Sequence, residues 1–113
     1  MKNLIFSCIF IASSACHAQV TGNSLYNLCN DADKSTLCLM YIGGYYDGFR
    51  FAEDSHESLN KSRRLICIPG AVQNRQLWEV GIKYINEHPA ERHLPADQLL
   101  AKAISQHYAC TKK

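Results

Sequence analysis

The stretch Glu87-His88-Pro89-Ala90-Glu91-Arg92-His93 gathers two imidazoles and two carboxylates, the side-chain types that hold zinc or move protons. A zinc protease sets its two histidines four apart on one continuous helix, with a glutamate between them. Here the histidines are five apart and Pro89 interrupts the helix. The pattern predicts an interhelical corner, with His88 and His93 as capping or surface groups. Nucleophilic chemistry fares no better: there is no C-x-x-C redox pair and no G-x-S-x-G elbow, and Ser24, Ser55 and Ser105 lack a recognisable setting. His107 reads as the exposed flank of a helix stripe. No catalytic residue, no metal ligand set and no cofactor is expected, so the chain reads as a non-enzyme.

The cysteines divide in a more informative way. Cys8 and Cys16 fall in an N-terminal leader, whereas Cys29, Cys38, Cys67 and Cys110 lie beyond it, an even set that can pair completely. Lys2 gives the leader a positive start, Leu4 to Ala12 is an apolar run too short for a permanent membrane helix, and Cys16-His17-Ala18 offers a small-residue cleavage site. Residues 1–18 are therefore expected to be a signal peptide and residues 19–113 one exported, soluble, disulfide-braced domain. The rival reading makes Cys16 a lipidated N-terminus after Ser14-Ala15, although Ser13 stands where a lipoprotein signal carries a large aliphatic residue.

Charge excludes several partners. The chain has 12 Lys and Arg against 10 Asp and Glu, with the signs interspersed, so no basic stripe invites nucleic acid or anionic lipid. Lys61-Ser62-Arg63-Arg64 is the densest positive run, and as a short run it reads first as a solvated loop and second as a docking patch. No later apolar run is long enough to insert into a membrane.

Periodicity favours helices almost throughout. Asn23 or Ser24 can cap a first helix through Leu25, Tyr26 and Leu28 to Cys29. Ser35 or Thr36 restarts the chain into a second helix from about Leu37 to Glu53 or beyond, with Leu37, Met40, Tyr41, Gly44, Gly48 and Phe51 at spacings of three and four on one face. Asp54 to Arg64 is polar and poorly periodic, the longest candidate loop. A third helix is expected over Val72 to Glu87, apolar on so many sides that it belongs in the middle of a bundle. His88-Pro89 closes it, and Pro95 opens a fourth with Leu99, Leu100, Ala103, Ile104 and Tyr108 as its stripe. The fold class is all-α, a small disulfide-stapled bundle of about four to five helices, with Leu25, Tyr41, Gly44, Leu77, Val80, Tyr84, Leu99, Leu100 and Ile104 inside.

Glycines inside the second helix ask for a reason. Each of Gly43, Gly44 and Gly48 costs about 1 kcal/mol relative to alanine, which predicts another backbone close to Gly44 and Gly48. Four cysteines permit three connectivities. The layout brings Cys29 at the end of helix one to Cys38 at the start of helix two, leaving Cys67 for Cys110.

The stretch Tyr41-Ile42-Gly43-Gly44-Tyr45-Tyr46-Asp47-Gly48 is the most distinctive. With Asn23-Ser24-Leu25-Tyr26 and Cys29 before it, and Cys67-Ile68-Pro69, Gln76-Leu77, Lys83-Tyr84-Ile85, His88-Pro89, Arg92-His93, Pro95-Ala96 and Cys110 after it, the chain resembles the Rap/Tai family of type VI secretion immunity proteins. That resemblance implies a small helical periplasmic protein, often homodimeric, that binds and blocks a peptidoglycan amidase effector. Gly44, Asp47 and Gly48 would be scaffold motif in such a protein, not contact surface. Contacts are expected on exposed polar segments: first Asp54 to Arg64, with Glu57, Lys61, Arg63 and Arg64 foremost, then Asn30 to Ser35. The alternative is a general periplasmic helical binding or chaperone-like module. Intact mass of the exported protein is expected to start at Gln19; retention of residues 1–18, or a lipid on Cys16, contradicts the leader assignment.

Overall fold

Thr21 leaves the extended chain at φ −91° and ψ 165°, and its hydroxyl accepts from the Ser24 amide at 3.2 Å, starting the first helix. The computed structural model describes residues 18–60 and 64–111. Apart from Ala18, the expected leader lies outside the described residues, as do Lys61 and Arg63. The described elements are α1 (Gly22–Asn30), α2 (Ser35–Asn60), α3 (Asn74–Glu87) and α4 (Ala96–Tyr108), with one-turn 3-10 helices at Ala32–Lys34 and Pro89–Glu91. The fold is all-α, and only isolated β-bridges, Thr21 to Pro95 and Ile66 to Ala109, interrupt that character among the described residues.

Helix boundaries follow capping chemistry. α1 starts on Thr21, earlier than the Asn23 or Ser24 cap expected, because Gly22 sits where only a bare backbone fits against Arg92. α3 starts at Asn74, two residues later than expected, where the Gln76 side chain reaches back to the Gln73 amide at 2.7 Å. Pro95 caps α4 and does not occupy its first turn. The largest difference is α2, which continues through Asn60, so residues 54–60 are helix and not loop. Arg64 pairs with both Asp54 and Glu57, holding the returning chain against that last part of the helix.

α3 lies at the centre and packs against α1, α2 and α4. Its buried Leu77, Tyr84 and Ile85 meet Leu25 from α1, Cys38, Ile42 and Tyr46 from α2, and Ala96, Leu99, Leu100, Ala103 and Ile104 from α4. Each large side chain removed from water contributes about 1.5–3 kcal/mol. Cys29–Cys38 staples α1 to α2, and Cys67–Cys110 ties the strand-like segment before α3 to the end of α4. Beside the second bridge the Cys67 amide donates to the Tyr108 carbonyl at 2.7 Å and the Cys110 amide to the Leu65 carbonyl at 3.0 Å. By loop-closure entropy that bridge, spanning 43 residues, stabilises the fold by about 4 kcal/mol.

The face that α2 buries differs from the one its spacing suggested. Cys38, Ile42 and Tyr46 point inward, with Tyr45 and Phe49 partly buried beside them, while Leu37, Met40, Gly44, Gly48 and Phe51 face outward. Tyr41 and Val80, also expected in the interior, are only partly buried. Because apolar residues nearly encircle the first half of α2, periodicity alone does not select a face. The Cys29–Cys38 bridge does: it turns Cys38 toward α1, and residues four, eight and eleven further on follow it inward.

The glycines separate into two classes. A methyl group at Gly22 would run into Leu99 and the Arg92 backbone, where Cα and the carbonyl oxygen are both 2.9 Å away, and one at Gly81 would meet Leu100 Cδ2 at 2.8 Å and Tyr46 Oη at 2.9 Å. At Gly44 and Gly48 nothing lies within 4 Å. Gly22→Ala and Gly81→Ala are therefore expected to destabilise by about 1–3 kcal/mol, whereas Gly44→Ala and Gly48→Ala stabilise the protomer by up to about 1 kcal/mol each. Denaturant unfolding of the four variants checks the sign.

Candidate functional site

The cluster from Glu87 to His93 forms the corner between α3 and α4. Pro89 ends α3 by forcing His88 out of helical geometry (φ −119°, ψ 62°), and the 3-10 turn Pro89–Glu91 swings the chain back along the bundle. Tyr84 Oη donates to Glu91 Oε2 at 2.9 Å, and Lys102 Nζ reaches the same oxygen at 3.1 Å. The His88 ring stacks on Tyr84 with centroids 3.9 Å apart, and its Nδ1 lies 2.7 Å from the Tyr84 carbonyl oxygen. His93 Nδ1 is 3.0 Å from the Ala90 carbonyl oxygen. The two imidazoles thus cap separate backbone groups instead of converging on one point. Among the described residues no group of three or more His, Cys, Asp and Glu side chains could hold a metal ion.

Arg92 is the strongest link at this corner, and sequence reasoning missed its role. Its Nε donates to the Ile85 carbonyl at 2.9 Å and its Nη2 to the Asn86 carbonyl at 2.8 Å, satisfying carbonyls left open where α3 ends. The guanidinium carbon also lies 3.6 Å from the centroid of the Tyr26 ring on α1. Meanwhile the Arg92 carbonyl accepts from the Asn23 amide at 2.7 Å, and the Leu94 carbonyl from the Gly22 amide at 2.9 Å. An arginine soon after a helix-ending proline was the available signal; Tyr26, 66 positions away, gave none.

The segment expected to contact a partner lies at the other end of α2. Asp54, Glu57 and Arg64 form one exposed ion-pair network there. Glu57 raises the Arg64 guanidinium further above its usual range through their hydrogen bond, with Asp54 adding to the effect. Between this network and residues 66–70 is a cleft of about 230 Å³ whose walls include Phe49, Arg50, Ile66 and Ile68. Glu57 and Arg64 are thus brought together, each already engaged. Asn30 to Ser35, the second contact candidate, holds an exposed Asp31 to Lys34 ion pair at 3.1 Å, and the lysine lowers the Asp31 carboxyl below its ordinary value. Gly44, Asp47 and Gly48 are all exposed on α2. Gly43 differs, since its bare α-carbon admits Trp78, whose Nε1 would lie 3.2 Å from a Cβ there.

A family model described as Rap1a immunity proteins matches residues 21–110. The chain belongs to that family. No curated protein and no solved structure matches it. The matched span begins at the Thr21 cap and ends at the Cys110 bridge, so the Rap1a match covers α1 through α4 and both disulfides. Membership carries the coarse function, immunity to a secreted effector. No helix among the described residues is long and apolar enough to cross a membrane.

The corner makes this Rap1a protein acid-sensitive in a definite way. Lys102 first, and Tyr84 second, hold the Glu91 carboxyl below its ordinary value. A lowered folded pKa means the stabilisation is present above the unfolded value of about 4.3 and is lost as pH falls through the lower folded value. Thermal melts from about pH 6 to about pH 3 should therefore lose less stability in Glu91→Gln than in the parent protein.

Proposed function

We propose that this protein is a periplasmic immunity protein that binds and inhibits a type VI secretion peptidoglycan amidase effector, protecting the producing cell from its own or sibling toxin. The family match over residues 21–110 carries this reading. Two disulfides in one small bundle suit an oxidising compartment, and the leader-like N-terminus suits export into it. Of the corner residues that could have suggested catalysis, Glu91 joins Tyr84 on α3 to Lys102 on α4, and His88 and His93 each lie within hydrogen-bond distance of a nearby backbone carbonyl. The protein acts by occlusion, forming a stoichiometric complex without turnover of its own.

The end of α2 and the residues up to Arg64 form the proposed inhibitory contact. Asp54, Glu57 and Arg64 brace the helix end, and Lys61 and Arg63, which follow it in sequence, are the proposed effector contacts. A rigid helix end narrows the conformations lost on docking, which favours affinity more than a free loop would. Arg64 and Glu57 then act by positioning that end.

Purified protein is expected to stop the amidase encoded beside it from cleaving peptidoglycan at a one-to-one ratio of protomers. Lys61→Glu with Arg63→Glu should weaken that complex by about tenfold or more while the helical circular dichroism spectrum is unchanged. If the amidase is not inhibited, and deletion leaves cells no more sensitive to it, the general periplasmic binding module replaces this reading.

A further inference from the structure

The extended chain before α3 has one edge in use and one edge open. The Cys67 amide donates to the Tyr108 carbonyl and the Cys110 amide to the Leu65 carbonyl, so Leu65 and Cys67 turn their backbone toward the end of α4. In an antiparallel bridge such as Ile66 to Ala109, the residue between those two directs its own amide and carbonyl the other way. Neither the N–H and C=O of Ile66 nor those of Ile68 have a hydrogen-bond partner among the described residues. Beyond them the chain turns at Pro69 and Gly70, and the Pro69 carbonyl accepts from the Val72 amide at 3.0 Å. The open edge borders the cleft of about 230 Å³, whose described walls come from α2 and residues 64–70 and not from α4. On the α2 wall, Arg50 meets only Asn74, at 3.3 Å, and Glu53 has no hydrogen-bond or ion-pair partner among the described residues.

We propose that this edge receives an extended segment of the effector, which adds as a strand beside Ile66 and Ile68 and lies in the cleft against α2. The proposal rests on the immunity reading above. The occupant is a peptide because unpaired N–H and C=O groups repeating along one extended edge match the donor and acceptor spacing of another extended backbone. Phe49, Ile66 and Ile68 give the cleft an apolar lining for one of the segment's side chains. Arg50 and Glu53 offer one charge of each sign to residues beside it, which fixes the register of the added strand. The edge begins two residues after Arg64, where the proposed inhibitory contact ends, so one effector spans both. Because Pro69 and Gly70 end the edge so soon, the pairing is short and selects how the effector sits more than how tightly it holds.

Amide hydrogen exchange of the oxidised protein, alone and with the purified amidase encoded beside it, reads the pairing directly. The Ile66 and Ile68 amides should exchange fast in the free protein and about tenfold or more slowly in the complex, while the Cys67 and Cys110 amides are protected in both. Ile66→Pro removes the open donor without removing an internal hydrogen bond, and should raise the effector dissociation constant by about tenfold or more; Ile66→Ala, which keeps the amide, should change it less. If Ile66→Pro does not fold, exchange in the parent protein decides. An inhibited complex in which both amides stay fast, or equal weakening by proline and alanine, overturns this proposal and leaves the immunity reading standing. Absence of inhibition removes both. Protection that grows with protein concentration in the absence of amidase gives the edge to a second copy of the chain and also overturns the proposal.

Discussion

The rotation of α2 about its own axis is the setting on which most of this structure depends, and the Cys29–Cys38 bridge makes it. Aliphatic and aromatic residues surround the first half of that helix, so hydrophobic burial alone offers several nearly equivalent ways to seat it. Once Cys38 is held against α1, Ile42 and Tyr46 must enter the core, Tyr46 Oη donates to the Leu100 carbonyl at 3.4 Å, and the void left by Gly81 receives its ring. Burial pushes the Tyr46 phenol up, and the half-buried Tyr45 phenol is pushed up to about 12, chiefly by desolvation. Neither ionises near neutral pH. The bridge thus decides which residues become core and which are left for partners.

Close to that bridge, where the Asn30 side chain donates to Asn86 at 3.2 Å, Arg92 does comparable work by polar means. One guanidinium closes the end of α3 and covers the Tyr26 ring, while the backbone around it pairs with the start of α1. Around Gly44 and Gly48 on the outer face of α2, by contrast, nothing in the protomer comes within 4 Å of where a side chain would begin. That division suits a protein whose task is to be gripped: a braced interior, and surfaces whose residues can change without disturbing it.

Legibility in the sequence followed the range of the physics involved. Helices α3 and α4, the break at His88-Pro89 and the Cys29–Cys38 bridge could be read, because their signals lie within a few residues of the structure they specify, and Cys67–Cys110 followed as the remaining pair. The face of α2 was misread because its pattern was counted without the constraint at Cys38, although the cysteine itself pointed to the answer. Residues 54–60 looked like a loop because their helix is supported by Arg64, a tertiary partner that polarity does not reveal. The candidate contact residues were legible only as exposed charge, and exposed charge looks the same whether it serves solubility or recognition.

The two bridges join cysteines that are consecutive in the chain, Cys29 with Cys38 and Cys67 with Cys110. A chain that meets an oxidant as it emerges, N-terminus first, will offer Cys38 to Cys29 before Cys67 has appeared. If residues 1–18, with Cys8 and Cys16, are removed on export, Cys67 then waits as a lone thiol until Cys110 arrives. Oxidation in order of emergence would then yield the native pairing directly, without an enzyme that reshuffles wrong bonds.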